Sequence, residues 1–320
     1  FDPMAQTAKS QSLQFGSNTD FIGYLPLNGS AEHGLLCINH EYTSEEVMFP
    51  GLGGEQDSDF SKLTIDQVDV ELAAHGASII EVKKEGGKWA VVPESDYARR
   101  ITGGTTYMTL TGPAAGHDLL KTAADPSGTL VLGTLNNCAG GMTPWGTFVT
   151  AEENFNGYFW GSGVDGHPYA KAYKRYGVPG GWYGWGRFYD RFNVNEVPNE
   201  PNRFGWMVEI DPMDPKSTPK KRTALGRFKH EGASVVVNKD GRVVVYSGDD
   251  ERFDYVYRFV SAGTFKEGDR AANLDLLDEG TLSVARYNAD GSVEWLPLVQ
   301  GQGKLTAENG FPDQATVLIN

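Results

Sequence analysis

The chain has 320 residues, enough for two ordinary domains or one large all-β domain and too many for a mini-protein held by disulfides. Apolar residues at 39% and charged residues at 22%, beside 40 glycines and 16 prolines without collagen periodicity, exclude a disordered or fibrous chain. A formal charge of −14 excludes a general nucleic-acid surface and demands a local source of positive charge wherever phosphate is handled.

In chain order, Leu35-Leu36-Cys37-Ile38 reads as a buried strand, with Cys37 a core residue. Leu63 to Ala74 carries the strongest helix signal. Ile79 to Val82 and Lys88 to Val92 flank Glu85-Gly86-Gly87 as a hairpin, and a second, weaker helix is expected over Ala114 to Ala123. The stretch around Cys138 is too rich in turn formers for strand core and reads as a loop tip. Asn156 to Asn202, with Gly180-Gly181-Trp182-Tyr183-Gly184-Trp185-Gly186 at its middle, is either a loop packed by its own rings or a lid over a pocket. Two more hairpins follow, Ser234 to Val237 with Arg242 to Tyr246, and Leu282 to Tyr287 with Ser292 to Leu296. Ala315-Thr316-Val317-Leu318-Ile319 reads as a strand without a successor.

This is an all-β pattern of antiparallel hairpins. At roughly 45 residues per blade, a β-propeller-like ring with long inserted loops accounts for the length as a single domain over 1–320. Such a ring is incomplete at its C-terminal end, so residues beyond Asn320 or a second chain are expected to close it. No apolar run reaches the roughly 18 residues of a membrane span, and Phe1 opens the chain without a signal peptide, which leaves export open. Two cysteines allow one long-range bridge or two independent thiols.

Acids gather at strand ends. Asn39-His40-Glu41 follows one apolar run and Glu152-Glu153-Asn154 another, Lys229-His230-Glu231-Gly232 precedes a third, and Asp249-Asp250-Glu251 ends a fourth. Inner strands of a propeller converge on one channel, and three or four carboxylates gathered there cannot all stay ionised without cations. Hard oxygen ligands select calcium or a similar ion, and one thiolate points to a transition metal beside it. No two histidines have metal-ligand spacing, and His40 and His230 read as backbone donors. There is no G-x-S-x-G elbow, H-E-x-x-H or P-loop.

The stretch Asn136-Asn137-Cys138-Ala139-Gly140-Gly141-Met142-Thr143-Pro144-Trp145-Gly146-Thr147, followed by Phe148-Val149-Thr150-Ala151-Glu152-Glu153-Asn154-Phe155, resembles the hallmark of the PhoX-type alkaline phosphatases. Gly112 to His117, Arg203 to Pro212, Lys221 to Gly232 and Gly248 to Phe253 are similar to further segments of that family, in its order. The resemblance implies a secreted, periplasmic or extracellular phosphomonoesterase with a propeller-like fold, acting on small phosphate monoesters. Its cofactor would be two Fe(III) ions and several Ca2+ ions joined by a bridging oxo group. Carried onto this chain, Cys138 is the iron ligand, Glu152, Glu153 and Glu231 fall on metal-binding motifs, and Asn137 is a calcium ligand. Asp249 and Asp250 match a motif without showing which of them ligates, and Lys229 takes the place of a basic residue on the transferring phosphoryl group. Glu209 is a ligand or a cross-strand ion pair. The same acids would also suit a calcium-dependent propeller esterase or lactonase with Cys138 an ordinary thiol, or a non-catalytic binding propeller stapled by calcium.

Overall fold

The structure is a computed structural model and describes residues 5–53, 57–162, 165–166 and 169–320. Strand is its main regular element, 32% of residues against 19% helix, which agrees with the all-β expectation at that level. The first sheet holds β1 (Thr19–Pro26), β2 (His33–His40), β3 (Gly76–Glu85) and β4 (Lys88–Val91) in that order, with β5 (Arg99–Ile101) also on β3. The second comprises β6 (Tyr107–Thr111), β7 (Leu130–Leu132), β8 (Asn137–Met142), β9 (Phe148–Glu152), β10 (Met207–Ile210) and β11 (Lys220–Arg222), ordered β7-β6-β11-β10-β9-β8. Its β6–β11 pair is parallel and the rest antiparallel. The third is a meander of β12 (His230–Val237), β13 (Arg242–Asp249), β14 (Val256–Thr264), β15 (Gly280–Tyr287) and β16 (Val293–Pro297).

The three expected hairpins form as β3–β4, β12–β13 and β15–β16. The expected helix forms over Ile65–Ala74, opened by a capping box in which the Thr64 hydroxyl accepts from the Gln67 amide and the Gln67 side chain accepts from the Thr64 amide. Cys37 is fully buried on β2, and both cysteines are thiols rather than a bridge.

Three expectations are corrected. Ala114 to Ala123 is not a helix: Gly112 and Gly116 take φ of 85° and 79°, breaking the chain before a single 3-10 turn at Asp118–Leu120. Ala315 to Ile319 is not a strand but part of a helix, Gln314–Ile319, capped by the Asp313 carboxylate accepting from the Thr316 amide at 2.7 Å. The cap outweighs the β preference of the Thr-Val-Ile run, and the buried Val317, Leu318 and Ile319 anchor the turn. Cys138 lies on a strand, β8, not at a loop tip.

The β8 glycines that suggested a turn serve close packing instead. A Cβ on Gly141 would stand 1.9 Å from the Ala233 carbonyl oxygen, so only glycine lets β12 approach β8 this closely. On the other side a Cβ on Gly23 of β1 would stand 2.5 Å from Met142 Sδ. The first and third sheets therefore meet the second along β8, which packs against β1, β2 and β12.

Candidate metal centre

Where these sheets meet, β1, β8 and β12 each carry a register shift at the point where they bring an acidic group or thiol. Thr19 to Ile22 of β1 opposes His40 to Ile38, Asn137 to Gly140 of β8 opposes Glu152 to Thr150, and Glu231 to Ser234 of β12 opposes Gly248 to Tyr246. Each is one residue too long for its partner, the signature of a β-bulge, which re-aims a side chain that strict alternation would send elsewhere. The bulges carry Asp20, Cys138 and Glu231.

The result is one cluster drawn from all three sheets. Ligand atoms of Asp20, Glu41 and Cys138 lie within 4.8 Å of one another, and Cys138 Sγ donates to Asp20 Oδ2 at 3.3 Å. Glu153 interacts electrostatically with Cys138 and Asp250, and Glu231 with Asp250. Cys138 and Glu153 form the buried floor, Glu41 is half-buried, and Asp20, Glu231 and Asp250 stand exposed at the rim.

Crowding governs their ionisation. Burial first, then the Asp20 carboxylate, pushes Glu41 up to about 7. Burial and the neighbouring Asp250 carboxyl push Glu153 up to about 8, and burial with Asp250 and Asp20 raises Glu231. Burial, followed by Glu153, Glu41 and Asp20, drives the Cys138 thiol far above its usual range. A thiol and three glutamates pushed toward their protonated forms, with the Asp20 and Asp250 carboxylates beside them, are a donor set that fits hard cations together with one softer metal. Cation binding would release those protons.

The structure separates the expected ligands. Glu153 and Asp250 join the cluster, while their neighbours Glu152 and Asp249 point away, as residues next to one another on a strand do. Glu152 is fully buried with Lys221 Nζ at 2.7 Å and accepts from Thr134 Oγ1 and the amides of Gly205 and Trp206. Asp249 is held by Arg175 at 3.0 Å. The Asn137 side chain is engaged elsewhere: its amide donates to Thr134 Oγ1 and Thr150 Oγ1 and its oxygen accepts from Thr134. Lys229 lies beside the site, its carbonyl accepting from the Asp250 amide and its Nζ 2.5 Å from Glu251. Glu209 takes the ion-pair reading, with Arg222 at 2.6 Å and Trp145 Nε1 donating at 2.9 Å. His230 bonds the Gly226 carbonyl at 2.9 Å, whereas His40 meets Ser78 Oγ. Asp20 was missed, although it too sits at a strand end, beside Thr19 at the start of β1.

Behind Glu41 the described residues of the Asn156 to Asn202 stretch pack ring against ring. Tyr158 and Tyr183 stack at 4.7 Å beside Trp185. The Tyr158 hydroxyl donates to the Glu41 carbonyl, accepts from Asn136, and meets His75 Nε2 at 2.9 Å. Asn136 in turn receives the Asn154 amide at 2.6 Å on its side chain and the Glu153 amide at 3.0 Å on its carbonyl. One aromatic platform thus braces cluster residues from two sheets. Its deepest acid, Glu71, accepts from Thr43 Oγ1 and Trp185 Nε1, and burial pushes it up to about 8 from 4.5. Between those values the folded chain holds a proton that the unfolded chain has lost, so stability falls as pH rises through the window. Glu71→Gln abolishes this titration. Its melting temperature relative to the unsubstituted chain should rise from about pH 5 to about pH 9, and a difference independent of pH would disprove the assignment.

The family model for alkaline phosphatase PhoX matches residues 1–320. Among solved structures, Pseudomonas fluorescens PhoX in complex with vanadate, a transition state analogue, superposes with a TM-score of 0.91 at 45% identity. That match covers 100% of this chain and 55% of the other, so the present chain spans about half the length of that relative. A search of curated proteins gives no match.

Proposed function

The chain belongs to the PhoX alkaline phosphatase family, and from that footing we propose that the acid-and-thiol cluster is a metal centre for hydrolysing small phosphate monoesters. The observation that carries the reading is the convergence of Asp20, Glu41, Cys138, Glu153, Glu231 and Asp250 from three sheets onto one half-open site. Iron at Cys138 and calcium among the carboxylates would match the softness of the donors. When bound, such cations neutralise phosphoryl oxygens and make a deprotonated water available near neutral pH. The rest falls to the chain's own groups. The carboxylates at the rim and floor fix the cations, and Glu41, Glu153 and Glu231 give up the protons that crowding favours on them. Glu152 and Asp249, each tied to a basic partner, hold the strand ends that present Glu153 and Asp250. Glu251 keeps Lys229 beside Asp250, where its ammonium can meet the phosphoryl group. Without cations a chain of charge −14 repels a phosphate dianion, so this local reversal of field is needed before chemistry can start.

The meeting of three mainly antiparallel sheets along β8 supports reading them as blades of a propeller-like single domain over 1–320. No helix among the described residues is long and apolar enough to cross a membrane. The family resemblance favours an exported protein.

Elemental analysis beside turnover of a chromogenic phosphate monoester, before and after chelation, tests the function. Iron and calcium with chelator-sensitive turnover are expected. Stoichiometric zinc alone would sink the iron assignment, and turnover indifferent to chelation would sink the metal centre. Lys229→Ala should leave metal content unchanged and lower turnover roughly 10²- to 10³-fold, as loss of one preorganised donor does. Unchanged turnover would remove Lys229 from the reaction.

A further inference from the structure

The bulge that aims Cys138 at the cluster takes an extra residue out of the β8–β9 ladder and leaves backbone groups there in need of other partners. Asn39 supplies one. Its Nδ2 crosses from the first sheet to the second and donates to the Cys138 carbonyl at 2.6 Å and the Ala139 carbonyl at 3.0 Å. Two carbonyl acceptors fix which way the amide points, and its Oδ1, on the other side, has no partner among the described residues although Asn39 is fully buried. An unpaired buried amide oxygen costs about 1–3 kcal/mol, so packing alone does not favour asparagine at this position. On β2 Asn39 shares a face with Cys37, a core residue, and with Glu41, a member of the cluster, so it stands where core gives way to site.

We propose that Asn39 is a positioning residue for Cys138, gripping the β8 bulge through its carbonyls so that Sγ faces Asp20 and Glu41. It touches neither the thiol nor a reacting group, and acts through the Cys138 backbone. The inference rests on the metal-centre reading above, because what it positions is a ligand. Outer partners that orient metal ligands are typically worth 10- to 100-fold in metal affinity.

The test is a Co2+ titration of the chelator-stripped protein, followed by the thiolate-to-cobalt band in the near ultraviolet, with Ca2+ affinity measured separately against a fluorescent chelator. Asn39→Ala is expected to weaken Co2+ binding about 10- to 100-fold and to shift or dim the thiolate band, with Asn39→Ser, which keeps one hydroxyl donor, falling between. Cys37→Ala is the control for a loosened core, since it is equally buried on the same face. It should lower the melting temperature yet leave Co2+ affinity within about twofold. If Asn39→Ala does not fold, Asn39→Ser against Cys37→Ala makes the same comparison. An Asn39 variant with unaltered affinity and band, or a Cys37→Ala variant that loses as much, overturns the positioning role. A parent protein with no thiolate band at all overturns the metal centre itself, and with it the role of Asn39.

Discussion

Cys138→Ser is expected to erase the visible thiolate-to-iron band and lower phosphate monoester turnover by about 10²-fold or more, with the far-ultraviolet circular dichroism unchanged. The size follows from its place: loss of an outer partner alone typically costs 10- to 100-fold, and Cys138 is in the cluster itself. The fold should survive because the substitution is small and the Cys138 carbonyl keeps its bond from Asn39. The thiol can ionise only against a cation, since burial and the Glu153, Glu41 and Asp20 carboxylates hold it protonated otherwise. Chelation should therefore bleach the unsubstituted protein to the same colourless state. Cys37→Ser is the converse. It buries a hydroxyl at a fully enclosed position of β2 where the thiol packs with the apolar core, which should cost about 1–3 kcal/mol while the band persists. Two variants that behave alike, or a band that survives Cys138→Ser, would remove Cys138 from the metal centre.

Much of this site was legible in the sequence, and what was not has a local cause. Acids at strand ends, together with the Asn136 to Phe155 motif, were enough to bring Cys138, Glu153, Glu231 and Asp250 into consideration. What they could not do was choose within Glu152-Glu153 or Asp249-Asp250, because the choice is one of parity. A one-residue change in register sends the other member of each pair inward, and the registers here depend on bulges at Asp20, Cys138 and Glu231 that alternation does not announce. Asn137 was drawn in by adjacency to Cys138, yet its side chain is taken by Thr134 and Thr150. Gly140 and Gly141 suggested a turn for want of any sign that β12 would lie against them. The hairpins and the Ile65–Ala74 helix were legible because turn chemistry and a capping box are local signals. The C-terminal helix was not, since its β-branched residues argue for a strand and only the Asp313 cap argues otherwise.

Glu152→Gln and Glu153→Gln should part company, although the two residues are neighbours. Glu152 and Lys221 are both wholly enclosed, so neutralising the glutamate leaves an ammonium with no carboxylate in a place where water cannot reach it. Breaking such a pair costs about 3–5 kcal/mol, and Glu152→Gln should melt well below the parent protein while still binding metal at temperatures where it is folded. Glu153 has the opposite setting. Among metal-free acids that repel one another it is held protonated by burial and by Asp250, so its amide is nearly a copy of its resting state. In the absence of cations Glu153→Gln should melt at or above the parent. With cations present it should bind less metal, gain less stability from them, and lose turnover by about 10²-fold or more. Calorimetry on chelated and metal-loaded protein separates the two. Equal loss of metal in both variants, or an unshaken fold in Glu152→Gln, would mean that the strand presents the wrong member of the pair to the site.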